Sequence, residues 1–270
     1  MLQGFCVTHE ELGAAVDGPD RRLEVLVGQV IATLRVRDGR AMPLDDVRTA
    51  QIADRMIAAC LARESDAMHT LAAVLQAEGV APDDLTDCII PVAARELGRA
   101  WEDDRLSFVE VTLAMTRIQR FLRDTLADVP EDGPGPSVLF ALPEGEQHTL
   151  GGLLAVRQLR RMRCSVCLRI GEKARSVVEL LHMRRFDALF ISVATAEGLE
   201  IACDLIKSVR HGYPHPLPVA VGGAVLCGTD QATADRMQKR IGAEIVSNDL
   251  ARALRVLKLA PQRDVRAVTA

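Results

Sequence analysis

Three separated groups after residue 136 carry side chains or gaps that could build a site. His148 stands in the run FALPEGEQHTLGG (residues 140–152), with Glu146 two residues before it and Gly151 three after. Ser192 lies in FDALFISVATAEG (186–198), and Gly222-Gly223 in PVAVGGAV (218–225). Taken singly each is ordinary: a lone loop histidine is usually exposed or capping, a serine caps a helix, a glycine pair makes a turn. Together, an imidazole, a small hydroxyl and a stretch without side chains suit a crevice for a long planar ligand. No paired carboxylates, nucleophile triad or phosphate loop points to an autonomous enzyme. Cys164 and Cys167 form a lone C-x-x-C. It falls at the start of an expected strand and not at a helix N-terminus, so thioredoxin-type chemistry is not expected, and no second pair completes a zinc site. His69, His182, His211 and His215 lack metal-ligand spacing and read as exposed helix or loop residues.

The elements that must position these groups follow from periodicity. Apolar residues at spacings of three and four predict helices over about 21–35, 44–62, 65–77, 82–100 and 107–126. In the last of these, Phe108, Val111, Met115, Ile118 and Leu122 share one face. Residues 128–136 (DVPEDGPGP) concentrate Pro, Gly and acid and read as a linker. Beyond it short β-rich runs alternate with helical ones. Strands are expected over 137–142, 165–170, 188–193, 218–221 and 244–246, and helices over 150–162, 175–183, 199–209, 229–241 and 250–257. Such alternation predicts a parallel, doubly wound sheet. Ligands of these sheets sit beyond the carboxyl ends of the strands where the winding reverses, and His148, Ser192 and Gly222-Gly223 fall at three such ends. The expected fold class is a helical bundle followed by a flavodoxin-like five-stranded domain. The expected division is an unassigned arm (1–45), a helical domain (46–128), a linker (129–136), the α/β domain (137–260) and a tail (261–270).

This arrangement resembles the cobalamin-binding domain of base-off/His-on corrinoid proteins, whose signature is Asp-x-His-x-x-Gly, then Ser-x-Leu, then Gly-Gly. Here it reads Glu146-Gln147-His148-Thr149-Leu150-Gly151, Ser192-Val193-Ala194 and Gly222-Gly223, with 40 residues between Gly151 and Ser192 and 27 between Ala194 and Gly222. The resemblance implies a cobalamin, adenosyl- or hydroxocobalamin, whose nucleotide tail threads past Ser192 and the diglycine while His148 takes the lower position on cobalt. It also implies that the residue at 146 orients the histidine. Glu146 in place of Asp and Ala194 in place of Leu are departures from the pattern.

Corrinoid proteins of this type carry a helical cap over the upper face of the ring, and residues 98–112 resemble it. Trp101 is then expected over the upper ligand; its other reading is a core residue of the bundle. Light-sensing relatives of the CarH kind carry a Glu-His pair where Val111 and Thr112 align, so an upper-face histidine is missing. WEDDRLSFVEVTLAMTRIQRFLR (101–123) instead resembles the AerR/PpaA group of photosynthesis-gene regulators. That group implies action on a PAS-containing repressor without a DNA-binding domain, and a haem or linear tetrapyrrole as another occupant. The resemblance spans roughly residues 55–258.

Composition bounds the rest. Net charge is −4, so no basic footprint argues for direct nucleic-acid binding. Seven cysteines, an odd number, suit a reducing cytoplasm, and neither a signal peptide nor a membrane span is expected. Three functions fit: a light- or redox-responsive regulator acting through a protein partner, a corrinoid carrier of a methyltransferase, and a haem or linear-tetrapyrrole sensor. The regulator is favoured by the residues after Trp101.

Overall fold

A computed structural model describes residues 45–64, 66–127 and 133–259. The expected helix over 21–35, the arm up to residue 44, part of the linker (129–132) and the tail lie outside the described residues. Two compact units divide the chain, Met1–Val111 and Thr112–Ala270.

The first unit is helical. Helix α1 (Asp46–Leu61) opens on Asp45, whose carboxylate accepts the Arg48 N–H at 2.7 Å, and α2 (Ala67–Ala77) follows. A single helix expected over 82–100 is three runs: α3 (Pro82–Asp84), a π-helical stretch (Leu85–Ile89) and α4 (Ile90–Glu102). Pro91 supplies the reason. It has no N–H to donate back into the preceding turn, and the wider stretch lets Ile90 N–H reach Leu85 O instead. Helix α1 packs on α2 and α4 around Ile52, Met56, Cys60, Leu75, Ile89, Ile90 and Leu97, all at or below 3% exposure. Burying each large aliphatic side chain stabilises by about 1.5–3 kcal/mol.

Helix α5 (Phe108–Ala127) crosses the division between units. Ser107 and Glu110 form a capping box at its start: Ser107 N–H donates to Glu110 Oε2 at 2.8 Å and Glu110 N–H to Ser107 Oγ at 3.3 Å. Its buried face is the expected one except at the first residue: Ile118 and Leu122 are buried and Val111 and Met115 half-buried. Phe108 is 69% exposed, whereas Ala114, Ile118, Phe121 and Leu122 are buried. Two heptads drift by only about 40° on a 3.6-residue helix, so Phe108 lies on the same side as Leu122 and its exposure is set by what packs on its turn, not by the spacing.

The second unit is the expected parallel sheet. Its strands are β1 (Ser137–Pro143), β2 (Ser165–Glu172), β3 (Ala188–Ser192), β4 (Val219–Gly222) and β5 (Ile245–Val246), in the order β2-β1-β3-β4-β5. All neighbours are parallel. The connecting helices are α6 (Thr149–Arg161), α7 (Ala174–Met183), α8 (Ala196–Gly212) and α9 (Gln231–Ile241), with α10 (Leu250–Val256) last. Leu139, Ala141, Leu189, Ile191, Val219 and Val221 pack against Val177, Leu181, Leu199, Ala202, Leu205 and Val209 on one face. The alternate residues Phe140 and Phe190 stack at 6.4 Å between centroids on the other. Alternating residues are buried on both faces, so β1 and β3 read as near-continuous apolar runs.

Candidate functional site

The winding reverses between β1 and β3: from β1 the chain steps to β2 on one side, and β3 lies on the other. The loops leaving these two strands therefore diverge and leave a crevice at their carboxyl ends. Glu146 and His148 occupy the loop between β1 and α6. Gly145, at φ +87°, makes the tight turn that returns Glu146 N–H to Pro143 O at 3.1 Å.

Glu146 is the hub. Its side chain is 3% exposed. Oε1 accepts the His148 backbone N–H at 2.8 Å and lies 2.9 Å from His148 Nδ1; Oε2 accepts the Ala194 N–H, beyond β3, at 2.8 Å. One carboxylate thus ties the β1 loop to the β3 loop. Burial alone pushes its pKa up, but the N–H groups of His148 and Ala194 and the His148 ring outweigh burial and hold it below the ordinary glutamate range. An ionised carboxylate only accepts hydrogen bonds, so Nδ1 carries the proton and Nε2 keeps its lone pair. The His148 side chain is 65% exposed at the N-terminus of α6. A ring fixed through Nδ1, with a free Nε2, is the arrangement found in metal-ligating histidines. Among the described residues no three His, Cys, Asp or Glu side chains can hold a metal ion. A metal at His148 would therefore take its other donors from a bound group.

Ser192 ends β3 at 7% exposure, in register with Gly222. Gly151, on the first turn of α6, has nothing within 4 Å of where a Cβ would stand, whereas at Gly152 a Cβ would meet Leu142 at 2.8 Å. Gly152 is a packing glycine, and Gly151 opens onto free space where a bulky ligand can approach. The diglycine is different again. At Gly223 (φ +119°) a Cβ would stand 2.1 Å from Val193 O, and at Gly222 it would stand 2.9 Å from Ser247 O. Both are glycines because backbone fills the side-chain direction.

Glu146, His148, Ser192, Gly222 and Gly223 thus meet at one sheet end, with Gly151 a turn along α6. Trp101 and Val111 belong to the first unit and Thr112 to the second. Trp101 ends α4 half exposed, at 51%, so it is not a core residue of the bundle. Val111 is half-buried and Thr112 exposed.

Three contributors escaped the sequence reading: the Ala194 N–H, Gly198 and Asn248. A Cβ at Gly198 would stand 3.2 Å from Glu146 Oε2, so the missing side chain makes room for the carboxylate. Asn248 binds Gly223 by both backbone groups. Neither has a local signal, because Ser247-Asn248-Asp249 reads as ordinary helix-start composition. In the C-x-x-C, Cys164 is fully buried and its thiol is pushed up to about 11 by burial, the opposite of an activated thiol. His182 is exposed as expected, but its Nε2 lies 2.9 Å from Gly212 O and its ring meets Tyr213 edge-on.

Fold and site define a helical unit joined to a flavodoxin-like domain with a carboxylate-held histidine at the reversal of its sheet. No family model matches the chain. It is 35% identical over 179 residues to a 20.5 kDa protein from the bchF-crtJ intergenic region of Rhodobacter capsulatus, covering 65% of this chain and 91% of that protein. The chain belongs to that protein's family. It is 28% identical over 144 residues to the HTH-type transcriptional repressor CarH of Myxococcus xanthus, covering 53% of this chain and 47% of the repressor, about half its length. The monomethylamine corrinoid protein of Methanosarcina barkeri shares the fold, with a TM-score of 0.62 and 16% identity over 76% of this chain and 96% of that one. No helix among the described residues is long and apolar enough to cross a membrane.

Proposed function

We propose that the second unit binds a cobalamin-type corrinoid with its nucleotide base displaced and His148 Nε2 as the lower axial ligand. The whole chain then acts as a light- or redox-responsive regulator of transcription through a protein partner. The carrying observation is the His148–Glu146 pair: an exposed imidazole at the sheet reversal whose Nδ1 is held by a buried, twice-anchored carboxylate. Gly151 leaves open approach beside it, and the donor set fits a ring that brings its own nitrogens.

When bound, the corrinoid supplies a cobalt centre whose upper bond responds to light or to reduction. His148 fixes the metal side of that centre, and Glu146 keeps the Nδ1 proton so that Nε2 offers its lone pair. Ser192 lines the way between β3 and β4. The regulator reading draws support from the relatives' names: one lies in a photosynthesis-gene region and the other is a transcriptional repressor. A PAS-containing repressor is the partner we assign, with no direct nucleic-acid contact.

The test is reconstitution with adenosyl- and hydroxocobalamin in the dark and after illumination, for wild type and His148→Ala. Wild type should retain corrin bands of a His-ligated form that change on illumination, and the variant should lose the His-ligated bands. Methyl uptake from a simple donor by the reduced protein, without a light response, would replace the regulator by a methyl carrier. Failure to retain any corrinoid, with a Soret band on adding haem, would move the crevice to another tetrapyrrole.

A further inference from the structure

We propose that Asn248 is a positioning residue for the ligand tail: its carboxamide locks the Gly223 peptide and closes that stretch of the crevice wall to hydrogen bonding. The inference rests on the corrinoid reading above, which places the nucleotide tail beside the diglycine.

Asn248 stands just beyond β5, and Gly223 just beyond β4. Asn248 Oδ1 accepts the Gly223 N–H at 2.7 Å, and Asn248 Nδ2 donates to Gly223 O at 3.1 Å. That carbonyl also accepts the Leu226 N–H at 3.1 Å. Both polar groups of the Gly223 residue are thereby used. On the opposite side Val193 N–H donates to Gly222 O at 3.0 Å, and Val193 O occupies the direction a Gly223 side chain would take. The diglycine is held between Val193 and Asn248.

Gly223 needs such a clamp more than most residues. Its φ of +119° lies where only glycine is at ease, and glycine there has many other conformations to escape into. Pairing with the two-residue strand β5 ends at Val221, opposite Val246, and pairing with β3 ends at Gly222, opposite Ser192, so Gly223 lies beyond both ladders. Asn248 substitutes for the missing ladder. The consequence is chemical: a wall whose donors and acceptors are already used admits a flat, uncharged aromatic tail and gives nothing to a ligand without one.

The test compares cobalamin with cobinamide, which has the corrin ring but lacks the nucleotide tail, on wild-type protein and Asn248→Ala. Amide exchange at Gly223 is followed in the ligand-free proteins. The variant is expected to bind cobalamin about tenfold more weakly, the scale of two neutral hydrogen bonds only partly translated into affinity. Its cobinamide affinity should stay at the wild-type value, and its Gly223 amide should exchange faster. Equal loss for both corrinoids would reduce Asn248 to a general structural residue and overturn the proposal. So would unchanged cobalamin affinity. Unchanged Gly223 exchange would overturn the clamp itself, whatever binds. Wild-type protein that retains neither corrinoid would overturn the cofactor reading and the tail-facing role together, while the exchange measurement would still report separately on the clamp.

Discussion

At the scale of single residues, the glutamate before His148 works because the structure compensates for its length. One extra methylene carries the carboxylate across to the Ala194 N–H, and Gly198 leaves the space it needs. A methyl group at Gly198 would crowd Glu146 Oε2 and Val193 Cβ, both at 3.2 Å. Gly198→Ala should therefore cost about 1–2 kcal/mol by overpacking, read from denaturant unfolding. In the E146D background, where the shorter carboxylate withdraws, the cost should fall by half or more; an equal cost in both backgrounds would place the crowding at Val193 alone. The pH dependence follows from the same carboxylate. Its folded pKa is depressed, so its contribution to stability is present above the unfolded glutamate value, near 4.3. It is lost as pH falls through the lower folded value. Unfolding measured between pH 7 and 3 should show this acid limb in wild type, and Glu146→Gln should flatten it.

At the scale of elements, the legible part of the molecule is what repeats locally. The five strands and the helices between them follow from apolar runs and their punctuation, because the inner strands β1, β3 and β4 are buried on both faces and the helices between them on one, while the edge strand β2 is exposed toward its carboxyl end. What was not legible depends on partners distant in the chain or on helix geometry beyond simple spacing. The π-helical stretch before Pro91 is a response to one missing N–H, and Phe108 alone of its face is exposed because exposure of one turn is set by tertiary packing. In the site, His148 and the diglycine were legible as types at spacings, but their reasons were not. The glycines at 222 and 223 look like an open gap and are close backbone contacts with Ser247 and Val193. Gly223→Ala should accordingly be among the most damaging substitutions in the domain, at about 2–4 kcal/mol from clash plus positive φ, checked by thermal unfolding. Trp101→Ala should be nearly silent, within about 0.5–1 kcal/mol, since half of the side chain is in solvent at the end of α4. Trp101 is the only tryptophan, so quenching of its fluorescence by acrylamide in ligand-free protein checks that exposure without interference.

At the scale of the whole molecule, the question is how a signal at the carboxyl ends of the strands reaches a partner. The proposed cofactor contact is made by an exposed side chain on a loop, held by one carboxylate, and this separates ligation from folding. His148 contributes little packing at 65% exposure, but its ring is one partner of the buried Glu146 carboxylate, so His148→Ala should lower ligand-free stability by only about 1 kcal/mol, read from denaturant unfolding. The loss stays small because the backbone N–H groups of His148 and Ala194 still hold the carboxylate. The same substitution should remove the response: the affinity of wild type for its regulatory partner changes between dark and illuminated, or oxidised and reduced, cobalamin-loaded protein, and the variant's does not. By linkage, a partner whose affinity depends on the state of the lower ligand must in turn shift that state, so adding partner should alter the corrin spectrum of wild type and leave that of the variant unchanged. Partner titration monitored by absorbance measures both directions at once. A variant that still switches its partner would place the signal outside the His148–Glu146 pair.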